Sequence, residues 1–245
     1  MLSLESRALE RAASRIDASF SAAVDRLLAA TGKIVVTGIG KSGLVARKIS
    51  ATFTATGSPS VFLHPAEALH GDLGVYEAGD PTILLSKSGA TDELLRLVPL
   101  LRRFESPLIG ILGNPAGPLA RMLDVVLDAS VEREADAHDM VPTVSALVAL
   151  SLGDALAVSL MGARDFQPAD FGRLHPGGQL GRNLRLKVHD VMHHDDAVAW
   201  VPASASLKDV VIAMTRHNLG AACVVDANGA LEGLITDGDL RRALQ

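Results

Sequence analysis

The stretch Lys33-Ile34-Val35-Val36-Thr37-Gly38-Ile39-Gly40-Lys41-Ser42-Gly43-Leu44-Val45-Ala46 decides the fold. A β-branched run ends in closely spaced glycines, and a helical pattern begins directly behind them. That order reads as strand, tight turn and helix N-terminus. Outward from it, short apolar runs recur at 61–63, 82–85, 108–112 and 125–127. Helices are predicted between most of them, at 41–56, 92–104 and 117–123, with a long apolar helix over 143–161. Strands alternating with helices imply βαβ units and a parallel sheet. The expected fold is α/β, a three-layer α-β-α doubly wound parallel sheet in flavodoxin-like order, which sets the first and third strands side by side. Residues 3–30 read as one amphipathic helix, apolar at Leu4, Leu9, Ile16, Phe20 and Leu27.

The polar segment 183–198, with His193, His194, Asp195 and Asp196, reads as a boundary. Beyond it Ser206 is placed to cap a helix over 207–218. Strands at 221–225 and 231–235 flank Asp226-Ala227-Asn228-Gly229, and Asn-Gly between apolar runs signals a hairpin. Asp237 opens a last helix over 238–244. The chain thus divides into residues 1–185 and a small α+β segment, 186–245.

Composition bounds the partners. The 245 residues are 48% hydrophobic and 21% charged, with a formal net charge of -5, and no basic run appears. Nucleic-acid binding through phosphates is therefore not expected. A small phosphate ligand stays compatible, because a nest of N–H groups can hold it. Cys223 is the only cysteine, which excludes an intramolecular disulfide and a cysteine-based zinc site, and it reads as a small buried apolar residue. Glu5, Arg7 and Glu10 interrupt any signal-peptide core, and the apolar stretches read as too short or too interrupted to span a bilayer. The expectation is a soluble, reducing, cytoplasmic setting.

Two loops carry the chemistry. Gly38, Gly40 and Gly43 fit a dinucleotide fingerprint, but the next strand ends in His64-Pro65 where a ribose-binding acid is wanted. A nucleotide P-loop fails too, since Val35 stands where its first glycine is needed. What remains is a turn that aims N–H groups and the Ser42 hydroxyl at an anion. The second loop, Ser86-Lys87-Ser88-Gly89-Ala90-Thr91, offers three hydroxyls before another helix. An ordinary N-cap needs one. In flavodoxin-like order the two loops are neighbours at the switch point, where ligands bind. Between them runs His64-Pro65-Ala66-Glu67-Ala68-Leu69-His70-Gly71-Asp72-Leu73-Gly74, with two histidines and two acids. Glu134 sits in a charged run behind the fifth strand, where a solvated face is the plainer reading. Leu174-His175-Pro176-Gly177-Gly178-Gln179-Leu180-Gly181-Arg182 is a further glycine-rich loop with one histidine.

Taken together, GIGKSG, HPAEALHGDLG, SxSGxT, MVPTxS, GDALA and HPGGxLGR resemble the sugar isomerase (SIS) domain of the D-arabinose 5-phosphate isomerase family. The tail GAACVVDANGALEGLITDGDLRRAL resembles a cystathionine-β-synthase (CBS) motif, which that family carries as a pair. Only one copy is present, so either the chain is truncated or pairing occurs between subunits. The resemblance implies reversible aldose–ketose isomerisation of D-arabinose 5-phosphate and D-ribulose 5-phosphate through a cis-enediol. That reaction supplies Kdo synthesis for lipopolysaccharide or capsule. It assigns essential roles to Lys41, Glu93 and Glu134 and functional roles to His70 and His175. Phosphate contacts fall on Ser42, Ser86, Ser88 and Thr91, and sugar contacts on Gly57 and Ser58. His64 is implied as a substrate contact and falls where the family can meet zinc, as an inhibitor; no cofactor is required. Thr236 and Asp239 resemble ribose-contacting positions of a regulatory nucleotide site. A homotetramer is implied.

Departures from the family pattern are Lys87 in place of a frequent Asn, Ala90 in place of a frequent Glu, and a diluted hydroxyl run over Thr143-Val144-Ser145-Ala146-Leu147. They bear on the sugar more than on the reaction type. An isomerase of another phosphosugar and a non-catalytic phosphosugar sensor are the alternatives. The missing helix-turn-helix and the acidic charge weigh against a DNA-linked sensor.

Overall fold

The structure is a computed structural model that describes residues 1–178 and 186–244. Positions Gln179 to Arg182 of the last glycine-rich loop lie outside the described residues. The chain forms two compact units, Met1–Arg185 and Leu186–Gln245.

In the first unit, β1 (Ile34–Thr37), β2 (Ser60–Leu63), β3 (Thr82–Ser86), β4 (Leu108–Leu112) and β5 (Val125–Asp128) form one parallel sheet. Their order is β2-β1-β3-β4-β5. Successive side chains of a strand face opposite ways, and the burial follows. Ile34, Val36, Ile83, Leu85, Ile109 and Ile111 pack into one core. Val35, Leu84, Leu108 and Leu112 pack into another. Both faces are buried, so the strands read as continuous apolar runs rather than alternating ones.

The first core is closed by α1 (Leu2–Ser14), α2 (Ala18–Ala29), α3 (Gly40–Ala55) and α6 (Val144–Ala163). The second is closed by α5 (Asp92–Leu101), through Leu94, Leu97, Val98 and Leu101, with Ala68 from the one-turn α4 (Pro65–Ala68). The helix predicted over 92–104 ends in a 3₁₀ turn at Arg102–Phe104, and the one predicted over 117–123 is itself a 3₁₀ helix, Pro118–Met122.

The N-terminal reading needs correction. Residues 3–30 form two helices, because Asp17 stops the first and caps the second; its carboxylate accepts the N–H of Ser19 at 2.8 Å. The membrane reading needs one as well. α6 has 20 residues and is long and apolar enough to cross a bilayer by length and composition. Its buried residues include Val148, Leu152, Leu156 and Leu160, and it packs on α1, α2 and α3 as a core helix. Gly153 permits the close approach of α6 to α3, since a Cβ there would overlap the Ile49 side chain.

The second unit holds a short turn, α8 (Val188–Val191), and a three-stranded sheet ordered β6-β7-β8. β7 (Ala221–Val225) and β8 (Leu231–Thr236) form the predicted hairpin. Gly229 takes φ 80°, and the Asp226 carboxylate accepts the N–H groups of Asn228 and Ala230 at 2.8 Å each. β6 (Ala199–Pro202), parallel to β7, lies where no strand is predicted. Its four residues alternate buried and exposed, too short a pattern to stand out in sequence. α9 (Leu207–His217) starts at Ser206, whose hydroxyl accepts the Asp209 N–H, and ends at left-handed Asn218. α10 (Asp237–Ala243) closes the unit. Cys223 is half-exposed rather than buried, because Ala222 takes the core position of β7.

Candidate active site

The two loops meet at the carboxyl edge of the sheet, since β1 and β3 are hydrogen-bonded neighbours. In the first, Gly40 has φ 61°, a left-handed turn that a side chain strains. A Cβ on Gly43 would stand 2.7 Å from the Gly38 carbonyl oxygen. Those glycines let α3 begin against the end of β1, which exposes the N-terminal turn carrying Lys41 and Ser42.

The second loop is clamped from behind. The Ser86 hydroxyl lies 2.8 Å from that of Thr91 and accepts the Gly89 N–H at 3.0 Å. Ser88 Oγ accepts the Ala90 N–H at 3.1 Å. The loop after β4 supports it, with Gly113 N–H on Ser86 O and Leu119 N–H on Gly89 O. A Cβ at Gly113 would meet the Lys87 carbonyl oxygen at 2.6 Å, so only glycine fits. A cleft of about 160 Å³ opens between the loops, lined by Lys41, Ser42, Ser86, Lys87, Pro142 and Ser145 among others. Lys41 has no hydrogen bond or ion pair among the described residues, so its ammonium is available to an anion.

Glu134 stands behind this cleft with no exposed side-chain surface. The plainer reading, a solvated charge, does not hold. One carboxylate oxygen accepts the N–H groups of Thr143 and Ser145 at 3.0 and 3.1 Å and the Thr143 hydroxyl at 3.3 Å. The other accepts the Ser145 hydroxyl and faces the Lys87 ammonium at 2.7 Å. Burial pushes the Glu134 carboxyl up, but Lys87, Ser145 and Thr143 outweigh it and hold it at about 2. It stays ionised throughout the physiological range. The run after Pro142, diluted in hydroxyls, keeps the two it needs here.

Glu93 lies in the first turn of α5, two residues past Thr91, half-buried and without a hydrogen-bond partner among the described residues. His64 follows β2 as the N-cap of α4, and its Nδ1 is buried without a hydrogen-bond partner. No group of three or more candidate metal ligands forms among the described residues. His70 is exposed, followed by Gly71 at φ 126°.

Gly57, Ser58 and His175 do not line the cleft and lie on elements away from its two loops. Gly57 and Ser58 follow the far end of α3, about 24 Å along a helix of 16 residues from Lys41. There Gly57 faces Phe166, and Ser58 accepts a hydrogen bond from Arg164 at 2.7 Å. His175 caps α7 (Pro168–Leu174), which follows the end of α6 opposite Ser145. Its ring stacks on Phe171 at 3.8 Å, and its Nδ1 lies 2.9 Å from the Phe171 carbonyl oxygen. Among the described residues, no hydrogen bond or ion pair joins it to Lys41, Glu93 or Glu134. Sequence reasoning missed Lys87 as a site residue, having treated it as a deviation. The signal was its place beside Ser86 in the loop. In the second unit Thr236 and Asp239 form a capping box at α10. Thr236, through its hydroxyl and N–H, and Arg242 hold the Asp239 carboxyl at about 2.

Loops at the switch point of a 2-1-3-4-5 sheet, with lysines and hydroxyls facing one cleft, define a SIS-type phosphosugar protein. Residues 27–159 match the SIS domain family, and residues 188–245 match the CBS domain. The chain is 49% identical over 243 residues to arabinose 5-phosphate isomerase KdsD of Pseudomonas aeruginosa, spanning 99% of this chain and 74% of that protein. It is 45% identical over 242 residues to KdsD of Escherichia coli K12, again 99% and 74%. A solved Escherichia coli CFT073 protein in complex with arabinose 5-phosphate matches with a TM-score of 0.69 at 39% identity, covering 71% of this chain and 93% of that one. The chain belongs to the SIS-domain arabinose 5-phosphate isomerase family.

Proposed function

We propose that this chain catalyses the reversible interconversion of D-arabinose 5-phosphate and D-ribulose 5-phosphate. The observation that carries the reading is the cleft in which Lys41, Ser42, Ser86 and Lys87 converge at two helix N-termini. Such a cleft suits a dianionic phosphate. The named activity of relatives at 49% and 45% identity supplies the sugar.

Substrate and product have the same composition, so no external oxidant or reductant enters the balance. A base removes the C2 proton of the open-chain aldose. The resulting cis-enediol is reprotonated at C1 while a proton passes from O2 to O1. Groups that titrate near neutral suit both roles. Glu134, held ionised by five donors, is a poor candidate for that exchange. Glu93, unpaired beside the phosphate loop, is the better base, with His70 or His175 as its partner. Lys41 stabilises the enediolate or phosphate charge.

His175, Gly57 and Ser58 reach a site only if another copy presents them to the Lys41 cleft. That supports a homo-oligomer, for which a tetramer is our reading. Light scattering that returned a monomer would remove it. We place the enzyme in the cytoplasm, feeding Kdo synthesis for lipopolysaccharide or capsule. The CBS unit would take a nucleotide near Thr236 and Asp239, at the cost of opening their capping box. Calorimetric titration with nucleotides tests it, and absence of heat with any of them ends it.

The deciding assay mixes the purified chain with each 5-phosphate and follows the other. Turnover of a different phosphosugar with neither pentose phosphate consumed would overturn the substrate.

A further inference from the structure

Glu134 is buried, does not itself line the cleft, and already accepts hydrogen bonds from Thr143 and Ser145 through both oxygens. Lys87 does line it, with its side chain 47% exposed. An ammonium has three donors, and Glu134 is the one partner that Lys87 has among the described residues. The Lys87 backbone is pinned by the close approach of Gly113, and its head is held by Glu134 at 2.7 Å. Lys41 shares the cleft with no partner among the described residues. Lys41 lacks a counter-charge among the described residues, and Lys87 keeps donors beyond the one on Glu134, so an entering phosphate dianion gives Lys41 its charge partner and fills the open donors of Lys87.

We propose that Lys87 is a phosphate-binding residue of this site, paired across the cleft with Lys41, and that Glu134 is its positioning residue and not the base. The proposal rests on the phosphosugar reading above and deepens it. A lysine held by a fully buried carboxylate loses little freedom when the phosphate arrives, which concentrates its contribution in binding rather than in the chemical step.

The test uses the full chain with Lys87→Met, Lys87→Arg and Lys87→Met/Glu134→Gln. Inorganic phosphate is titrated calorimetrically, and kinetics are measured with arabinose 5-phosphate. Loss of one charge-assisted contact predicts roughly ten- to hundredfold weaker phosphate binding and a matching rise in KM for Lys87→Met. Its kcat should stay within about threefold, and Lys87→Arg should recover part of the loss. The double variant should behave like the single one, because Glu134 acts through Lys87. If Lys87→Met does not fold, the double variant, which leaves no unpaired buried charge, takes its place. Unchanged phosphate affinity overturns the proposal. A further large fall in kcat on adding Glu134→Gln also overturns it, by placing Glu134 on the substrate. If the unmodified chain binds phosphate yet turns over no arabinose 5-phosphate, the isomerase reading fails while the phosphate titrations still decide the role of Lys87.

Discussion

The Nζ of Lys87 stands 2.7 Å from Oε1 of Glu134, and the glutamate exposes none of its side chain. The pair links the loop that follows β3 to the segment that precedes α6, elements far apart in sequence. It gives the site a fixed cation and gives the fold a buried charge that must remain paired.

That pairing makes stability depend on pH. The folded Glu134 value, about 2, lies below an ordinary glutamate near 4.3. Its stabilisation is therefore complete above about pH 5 and is lost as pH falls through 4 toward 2. Urea unfolding from pH 7 to 3 should show this loss. Glu134→Gln should lower stability at pH 7 by roughly 2–3 kcal/mol and flatten the acid slope. An unchanged slope would assign the acid loss to other carboxylates.

Lys41→Met and Glu93→Gln should each cut turnover by about 10²–10⁴ in both directions, the range for a charge-stabilising or proton-transferring group. Thermal melts should stay close to the parent, since neither side chain holds the fold. Near-normal activity of Glu93→Gln would return the base to the histidines.

Asp80 is buried too, yet before β3, at the sheet edge away from the cleft. It accepts the Lys33 and Glu77 N–H groups at 3.0 and 2.9 Å and the Lys33 ammonium at 2.7 Å. Asp80→Ala should cost about 3–5 kcal/mol in denaturant titration by stranding these donors. Activity per folded enzyme should hold within about twofold, which separates a structural buried acid from Glu134.

Gly153→Ala tests the packing of α6 on α3. The added methyl would overlap Ile49 Cδ1 and sit 2.5 Å from its Cγ1. A loss of about 1–3 kcal/mol is expected, and Ile49→Val in the same chain should recover part of it. Full stability of Gly153→Ala alone would show that the helices can separate at no cost.

Thr236→Ala removes the hydroxyl that caps α10. The CBS unit should lose about 1 kcal/mol, read as a lower first transition if the units melt separately. Unaltered melting would leave ligand binding as the main use of that threonine.

Local signals made most of the fold legible. β-branched runs of four or five residues, each ended by glycine or a polar turn, mark the strands that the sheet contains. Strand β6 escaped because Ala199-Trp200-Val201-Pro202 alternates buried and exposed and holds one β-branched residue and a proline, so it forms no apolar β-branched run. Asp17 broke a helix that periodicity carried through, since one side-chain cap outweighs a continuing apolar stripe.

By itself the sequence determined a doubly wound parallel sheet, two anion-ready loops on neighbouring strands and a small hairpin-bearing unit behind them. These follow from propensity, periodicity and turn chemistry, all local in the chain. Only the tertiary structure decided the rest. Glu134 changed from a surface charge to the anchor of Lys87, because its environment is built by residues 87, 143 and 145. Gly57, Ser58 and His175 moved out of the one-chain site, because helices α3 and α6 carry the chain to the opposite edge of the sheet. Burial and pairing across a fold depend on which distant segments meet, and no local pattern records that.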